Sequence, residues 1–413
     1  MPPSATVAIN ERSNALIAAG REVYKLGLGQ SPFPVAAPVV QALREHAAEK
    51  DYLPVKGLAT LRDAVAGYHH RVDGIERTGE DVLIGPGSKE LMFLLQLVFY
   101  GDLVIPTPAW VSYAPQARII GRQVRLVSTL EEHDWRLRPD ELARLCEEDP
   151  GRPRIFILNY PSNPTGATYR LEELRALAKV AAEHRVVLLS DEIYGELHHK
   201  GQHVSIARFY PEGTIVSSGL SKWCGAGGWR LGTFLFPPSM RWLLDAMAAA
   251  ASETFTSTSA PIQHAAVTAF RGGEEIDEYL VRSRRVLGAL GRWSHRRMTD
   301  AGLRCCKPTG AFYLFPNFGD HREALAGRGI ETSAQLCERL LEDTGVAILP
   351  GSHFGRDPSE LTARMAYVDF DGQGALTAVA GLGRETSVDE GFLRQHCPRV
   401  TTAIDRLCGW LQG

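Results

Sequence analysis

The chain has 413 residues, 44% hydrophobic and 23% charged, with a net charge of −3. That composition is typical of a soluble globular protein large enough to bury one extensive α/β core or two bodies. The charges are interspersed with no long basic run, so the sequence indicates neither a nucleic-acid groove nor a face for anionic membranes.

The N-terminus, Met1-Pro2-Pro3-Ser4-Ala5-Thr6, lacks the basic-then-apolar layout of a secretory leader, and no apolar run reaches the length that spans a bilayer. Residues 1–45, including Ser31-Pro32-Phe33-Pro34, are too few for a body of their own and are expected to pack onto another. Between about residues 80 and 240, short apolar runs alternate with helical patterns. Strands are predicted at 81–84, 103–105, 124–127, 154–158, 186–190, 214–217 and 231–236. They are rich in Val, Ile and Leu without strict alternation, as strands covered on both faces are. Residues 91–100 and 171–184 carry helical apolar spacing. This alternation predicts a three-layer α/β/α fold around a mostly parallel sheet.

After about residue 295 the texture changes. Short strands within 305–315, 345–349 and 363–369 among helices predict a smaller α+β domain. The expected division is a large domain over 46–294 and a discontinuous small one made of 1–45 and 295–413. The seven cysteines show no CxxC spacing, and Cys305 adjoins Cys306, which argues against a disulfide framework or zinc site and for a reducing cytoplasm. His69-His70 and His198-His199 with His203 are expected to be solvated surface histidines rather than metal ligands, because neighbouring side chains on a strand face opposite ways.

Ligands of open α/β sheets lie beyond the carboxyl ends of the strands. The segments there are Gly85-Pro86-Gly87-Ser88-Lys89, Pro106-Thr107-Pro108-Ala109-Trp110, and residues 159–166, 191–194 and 219–222. Lys222 follows a buried strand, and Arg230 lies in the glycine-rich stretch after it. Desolvation and a nearby cation both favour the free amine that an imine requires. The plainer alternative is a solvated lysine at a loop edge. Asp191 ends a strongly apolar strand, where a carboxylate is costly unless a cation meets it. The ring nitrogen of an electron-sink cofactor would be such a cation; an N-cap or an ordinary ion pair is the alternative. Asn163 and Tyr194 have the chemistry to hydrogen-bond the same ring, although Asn163-Pro164 also suits a plain turn. Gly87-Ser88-Lys89 opens a helix and offers free N–H groups to a phosphate. Arg230 has the fork for bidentate phosphate binding, Trp110 a face for stacking, and Arg364 the fork for a carboxylate. Core packing for Trp110 and a structural salt bridge for Arg364 are the competing readings.

These pieces occur in one order along the chain, joined by Leu26-Gly27-Leu28-Gly29-Gln30, Tyr52-Leu53-Pro54-Val55-Lys56-Gly57, Asn163-Pro164-Thr165-Gly166, Asp191-Glu192-Ile193-Tyr194, Ser221-Lys222, Gly228-Trp229-Arg230, Pro308-Thr309-Gly310-Ala311-Phe312-Tyr313 and Leu349-Pro350-Gly351-Ser352-His353-Phe354-Gly355. Over roughly residues 24–411 the sequence resembles the fold-type I, class I/II aminotransferases of the aspartate aminotransferase superfamily, in the branch with Gly-Trp-Arg after the lysine. The resemblance implies a pyridoxal 5′-phosphate (PLP) enzyme that moves an amino group between an L-amino acid and a 2-oxo acid through a Schiff base on Lys222. By the same resemblance Lys222 also shuttles a proton at the substrate Cα, and Asp191 keeps the pyridine nitrogen protonated. Asn163 and Tyr194 contact the ring oxygen, and Trp110 stacks on the ring. Ser88, Lys89, Ser221, Arg230 and the Gly87 turn surround the phosphate. Arg364 grips the α-carboxylate with Asn163, and Gly29 lies on a segment that closes over substrate. Tyr52 is the tyrosine that reaches the phosphate of a neighbouring subunit, which implies a homodimer with shared sites.

Two stretches depart from the family pattern. Gly219 stands where many members carry a phosphate-binding serine, leaving Ser218 or Ser221 as substitutes, and Trp223-Cys224-Gly225-Ala226-Gly227 is unusual. Cys224 is expected to pack rather than to react. Other PLP reactions on this scaffold use the same lysine, aspartate and arginine: elimination, cyclopropane formation, or oxygen-dependent oxidation. A non-catalytic regulator would need a basic helix-turn-helix, and none is evident. No second cation is assigned to a distal carboxylate, and Trp110, Tyr113, Phe312 and Trp223 leave room for a bulky apolar substrate side chain.

Overall fold

A computed structural model describes residues 5–413; Met1–Ser4, part of the stretch examined for a leader, lies outside the described residues. The strands in chain order are β1 (Tyr24–Lys25), β2 (Val82–Gly85), β3 (Asp102–Thr107), β4 (Val124–Ser128), β5 (Arg154–Asn159), β6 (Val187–Asp191), β7 (Thr214–Gly219), β8 (Gly232–Leu235), β9 (Tyr313–Leu314), β10 (Val346–Ala347), β11 (Leu349–Pro350) and β12 (Ala363–Ala366). Seven of them form the main sheet in the order β2-β8-β7-β6-β5-β3-β4. Strand β8 runs antiparallel to both neighbours, and the other pairings are parallel. Each predicted strand of this sheet lies within two residues of the observed one at either end.

The apolar runs are continuous because successive residues enter different cores. In β5, Ile155 and Ile157 face the cluster formed with helices Ser88–Val98, Tyr113–Ile119 and Arg241–Ser252, whereas Phe156 and Leu158 face the cluster with Pro139–Glu147 and Leu171–Glu183. In β3, Leu103 and Ile105 take the first side and Val104 the second. Helices therefore cover both faces, and the expected three-layer α/β architecture is present.

Beyond this sheet the elements are shorter than expected. The segments 305–315, 345–349 and 363–369 yield only β9, β10, β11 and β12, in a three-stranded antiparallel sheet β11-β12-β9 and a parallel pair β1-β10. The first half of 305–315 makes only isolated bridging contacts at its edges, such as Arg304 with Asn317. The pair β1-β10 joins the N-terminal segment to the C-terminal part. Lys25 N donates to Asp369 Oδ2 at 2.8 Å, and Ala366 N to Leu26 O at 2.8 Å. Helix Glu274–Asp300 runs unbroken through residues 294–295, so the expected domain boundary falls inside one element rather than in a linker. Its buried stripe, Ile276, Leu280, Leu287, Leu290 and Met298, keeps helical spacing across that point.

The expectation of solvated histidines fails at three positions. His69 is on a helix, not a strand, and its buried Nδ1 lies 2.9 Å from Asp73 Oδ2 one turn on. His203 is held by Glu192 at 2.8 Å. His199 contacts Ala311 O at 3.1 Å, and burial lowers its pKa to about 4.

Phe156 is fully buried in a central strand. Phe156→Ala is expected to cost about 3–5 kcal/mol, read as a lower urea midpoint with an unchanged slope.

Candidate active site

The parallel strands deliver their last residues to one end of the sheet, where a cavity of about 410 Å³ opens. Asp191, the last residue of β6, is flanked in register by Asn159 of β5 and Ser217 of β7. It is 3% exposed. Its side-chain partners are neutral hydroxyls: Tyr113 OH donates to Oδ2 at 2.5 Å, and Ser217 Oγ to Oδ1 at 3.4 Å. Burial raises the carboxyl pKa from 3.8 to about 6, with the Tyr113 hydrogen bond pulling the other way. Asn159 Nδ2 donates to the Asp191 carbonyl at 2.9 Å while its Oδ1 accepts from Asn163 N at 2.7 Å, tying the Asn163 turn to the same strand end.

Lys222 reaches the cavity from the loop after β7. Its Nζ donates to Gly29 O at 2.7 Å and lies 5.7 Å from the Tyr194 ring centre. Burial first, then the charges of Arg364 and Arg230, lower its pKa from 10.5 to about 8, against the opposing pull of Asp191. Roughly a tenth of the amine is therefore neutral at pH 7, against a few parts in ten thousand for an unperturbed lysine. Gly29 can cover this amine because it lacks a side chain: a Cβ there would sit 2.0 Å from Tyr313 OH.

At the other end, helix Ser88–Val98 begins after Gly87, whose φ of 96° falls in the region glycine favours, and no side chain caps the helix. Arg230 Nη2 lies 2.1 Å from where a Cβ on Gly87 would be, and Ser88 N lies 2.1 Å from where one on Gly232 would be. The cradle is thus built by bare backbone with a guanidinium across its mouth. Arg230 adopts φ 55°, a left-handed conformation costly for a residue with a side chain, and its Nη1 donates to Gly227 O at 2.8 Å. Lys89 lies 5.6 Å from the Trp110 ring centre, and burial, with Arg230 adding to it, lowers its pKa. Helix N–H groups, Lys89 and Arg230 make an anion seat.

Arg364 is 1% exposed, with partners that carry no formal charge: Nη1 donates to Asn163 Oδ1 at 3.2 Å and Nη2 to Gly27 O, while Nε is buried without a partner. A buried guanidinium of this kind favours an incoming carboxylate. Tyr194 is buried, with its hydroxyl 2.7 Å from Tyr313 OH.

Of the residues expected at the site, the cavity brings together Gly29, Ser88, Lys89, Trp110, Asn163, Asp191, Tyr194, Ser221, Lys222 and Arg230. Gly87 underlies the cradle, and Arg364 adjoins through Asn163. Tyr52 is elsewhere, 91% exposed at the surface of the chain. A Cβ at Gly219 would lie 2.6 Å from Leu231 O, so a serine there would require backbone movement, and Ser221 rather than Ser218 faces the cavity. Of the aromatics expected to shape a substrate pocket, Trp110 and Tyr113 line the cavity; Trp223 packs edge-on against Phe270 instead. Cys224 is fully buried and its thiol pushed up to about 12, consistent with packing. Asn159, Tyr313 and the Tyr113 hydroxyl also belong to the site, without any local sequence signal for it.

Behind the site, Glu192 accepts from Ser190 Oγ at 2.6 Å, Ser205 Oγ at 2.7 Å, Tyr160 OH at 3.3 Å and His203 Nε2 at 2.8 Å. Burial disfavours the His203 cation, but Glu192 and Asp73 overcome it and hold its pKa up. This network clamps the turn that carries Asp191 and Tyr194.

A family model described as aminotransferase class I and II matches residues 21–369. An aspartate aminotransferase of Geobacillus stearothermophilus is 35% identical over 364 residues, 86% of this chain and 90% of the relative. One from Bacillus subtilis is 33% identical over 378 residues, 89% and 92% of the two chains. Among solved structures, an aspartate aminotransferase from Thermus thermophilus with maleate superposes with a TM-score of 0.83 at 29% identity, covering 99% of this chain and 97% of the other. An aromatic aminotransferase from Pyrococcus horikoshii superposes with a TM-score of 0.78 at 28% identity, covering 97% and 98%.

The raised Asp191 pKa implies a folding cost that appears only when the carboxyl ionises. It is absent below about pH 4, grows between there and about pH 6, and is fully present above. A rise from 3.8 to about 6 corresponds to on the order of 3 kcal/mol. In the ligand-free protein, Asp191→Asn is therefore expected to stabilise by up to about that amount near pH 7 and to lose its advantage near pH 4. Urea unfolding across that range checks it; a pH-independent destabilisation would contradict the electrostatic account.

Proposed function

We propose, for a chain that belongs to the class I and II aminotransferase family, that Lys222, Asp191 and Arg364 divide the work of amino-group transfer. The protein is a PLP-dependent aminotransferase acting between an amino acid and a 2-oxo acid. When bound, PLP supplies an electron sink for the substrate Cα and a carrier for the amino group. The residues present fit it: an uncompensated buried carboxylate for a protonated ring nitrogen, an amine of lowered pKa, and a bare-backbone anion cradle share one cavity. That shared cavity is the observation that supports the assignment of roles.

Asp191 stabilises a positive ring nitrogen by charge pairing. Its own pKa falls as the pair forms, and Tyr113 and Ser217 hold its two oxygens in place. Lys222 Nζ would hold the cofactor's carbonyl carbon and, released to its free-amine form, would take the proton from the substrate Cα. Gly29 O orients that amine in the ligand-free site. Ser88, Lys89, Ser221, Arg230 and the N–H groups after Gly87 bind the phosphate. Asn163 and Tyr194 would hydrogen-bond the ring oxygen, and Trp110 would stack on the ring. Arg364 binds the substrate α-carboxylate through the fork that Asn163 and Gly27 hold open.

The sheet body, 46–294, is assigned as the cofactor domain, and 1–45 with 295–413 as the part that closes over substrate. We assign a homodimer in which the exposed Tyr52 completes the phosphate seat of the second copy. Among the described residues all seven cysteines are free, which supports a cytoplasmic location, and no helix is long and apolar enough to cross a membrane.

Lys222→Ala is expected to lower turnover by ~10²–10⁴-fold or more and to abolish the visible band of the lysine-bound cofactor; an unchanged spectrum would refute the assignment. Arg364→Lys is expected to raise KM for the amino acid on the order of 10–100-fold with a smaller change in kcat, since a charge-assisted bidentate contact is worth about 1.5–3 kcal/mol. L-Aspartate, for which the relatives are named, is the first amino donor to assay.

A further inference from the structure

We propose that His46, Glu49 and His264 form a binding site for a divalent transition-metal ion of the zinc type, away from the active site. His46 is the residue that ends helix Ala37–Glu45, its backbone N–H fixed to Ala42 O at 3.1 Å. Glu49 is returned to it by a turn in which Glu49 N donates to His46 O at 3.1 Å. His264 stands on helix Ala260–Arg271, which shares a core with the first helix through Val39, Ala42, Ala265, Ala266 and Ala269. The donors are thus carried by two helices packed on a common core.

Their chemistry and spacing suit a metal. The two imidazole rings stack with centres 4.6 Å apart and planes 22° from parallel, so both lie on one side of the helix pair, and one ring has to rotate for the two in-plane lone pairs to meet at a single ion. His46 Nδ1 lies 3.4 Å from Glu49 Oε1, and one donor atom from each of the three residues lies within 4.8 Å of the others. A tetrahedral ion with ligands at about 2.0–2.1 Å sets those ligand atoms about 3.3–3.4 Å apart. The His46 Nδ1–Glu49 Oε1 separation already has that length. Donor atoms that all lie within 4.8 Å of one another need to close by no more than about 1.5 Å to reach the tetrahedral spacing, within the reach of side chains that are 39% and 46% exposed at His46 and Glu49. Two imidazoles and one carboxylate are a recurrent zinc donor set, and the open side leaves the fourth position to water.

The ion would join the end of helix Ala37–Glu45 to helix Ala260–Arg271. The first of these helices continues the segment that bears Gly29, whose carbonyl meets the Lys222 amine. None of the three ligands lines the catalytic cavity. The site is therefore a clasp on the scaffold behind the closing segment, and binding raises stability by mass action.

The test is calorimetric titration of chelator-treated holoenzyme with zinc chloride, together with thermal melting at each zinc concentration. The expected result is one ion per chain at micromolar affinity, a higher melting temperature with zinc, and dissociation constants weakened on the order of 100-fold by His264→Gln or His46→Gln and about 10-fold by Glu49→Gln. Equal melting temperatures of wild type and variants in chelator show that the variants fold. A second buried triad, Asp73, Glu192 and His203, serves as an internal control, because an ion held there is indifferent to substitution at 264. Absence of stoichiometric binding, or binding and melting shifts unchanged in both histidine variants, overturns the proposal.

Discussion

Among the described residues, the buried Asp191 has hydroxyls alone as side-chain partners, so it lacks a charge to balance its own. Everything near it can be understood as arranged around that missing charge. The parallel sheet puts the carboxylate at a strand end, and neighbouring strands contribute Asn159 and Ser217 at the same level. The apolar strand behind it supplies the low dielectric that makes an unpaired carboxylate expensive and a paired one strong. A cationic ring would offset that cost by pairing with the carboxylate, the role proposed for the cofactor's ring nitrogen. Part of the binding free energy is set aside in advance as folding cost, a common arrangement where stability yields to function.

Such a carboxylate would be a liability on a mobile loop. The Glu192 network prevents this. Four donors from β6, the turn after β5 and the 203–205 segment converge on one carboxylate, and the turn bearing Asp191 and Tyr194 is held from behind by hydrogen bonds rather than by packing alone. Charge balance there is internal, with His203 raised toward its cationic form by Glu192 and Asp73. Two adjacent acidic residues in the chain thus have opposite surroundings: Glu192 is saturated with donors, and Asp191 is left wanting.

Much of this was legible in the amino-acid sequence, for physical reasons that also mark its limits. Strands covered on both faces need unbroken apolar runs, so the seven-stranded sheet and the residues at its ends could be placed closely. Lys222, Asp191 and Arg230 stood out because each is a charge directly after or between buried segments. Contacts across long separations carry no periodic signal: Tyr113 and Asp191 are 78 positions apart, and nothing local in either segment announces their hydrogen bond. His69 was misread because it was taken for a strand residue, although Asp73 stands one turn on in the same helix, whereas the pairing of His203 with Glu192 is a tertiary contact invisible without the fold. The short strands after residue 300 hold so few ladder contacts that side-chain pattern hardly constrains them, and a helix that keeps its stripe through residue 294 hides any boundary there.

The contact between Gly29 and Tyr313 restricts how this protein can diversify. Position 29 tolerates no side chain while the tyrosine hydroxyl occupies the space beside it. Along this segment, variation in what the catalytic chamber admits must therefore come from the flanking positions Leu28 and Gln30, which also border the cavity, or from paired replacement of residues 29 and 313. A search for altered specificity that mutates one position at a time would find position 29 barren, although a coordinated exchange there would redraw the chamber's ceiling.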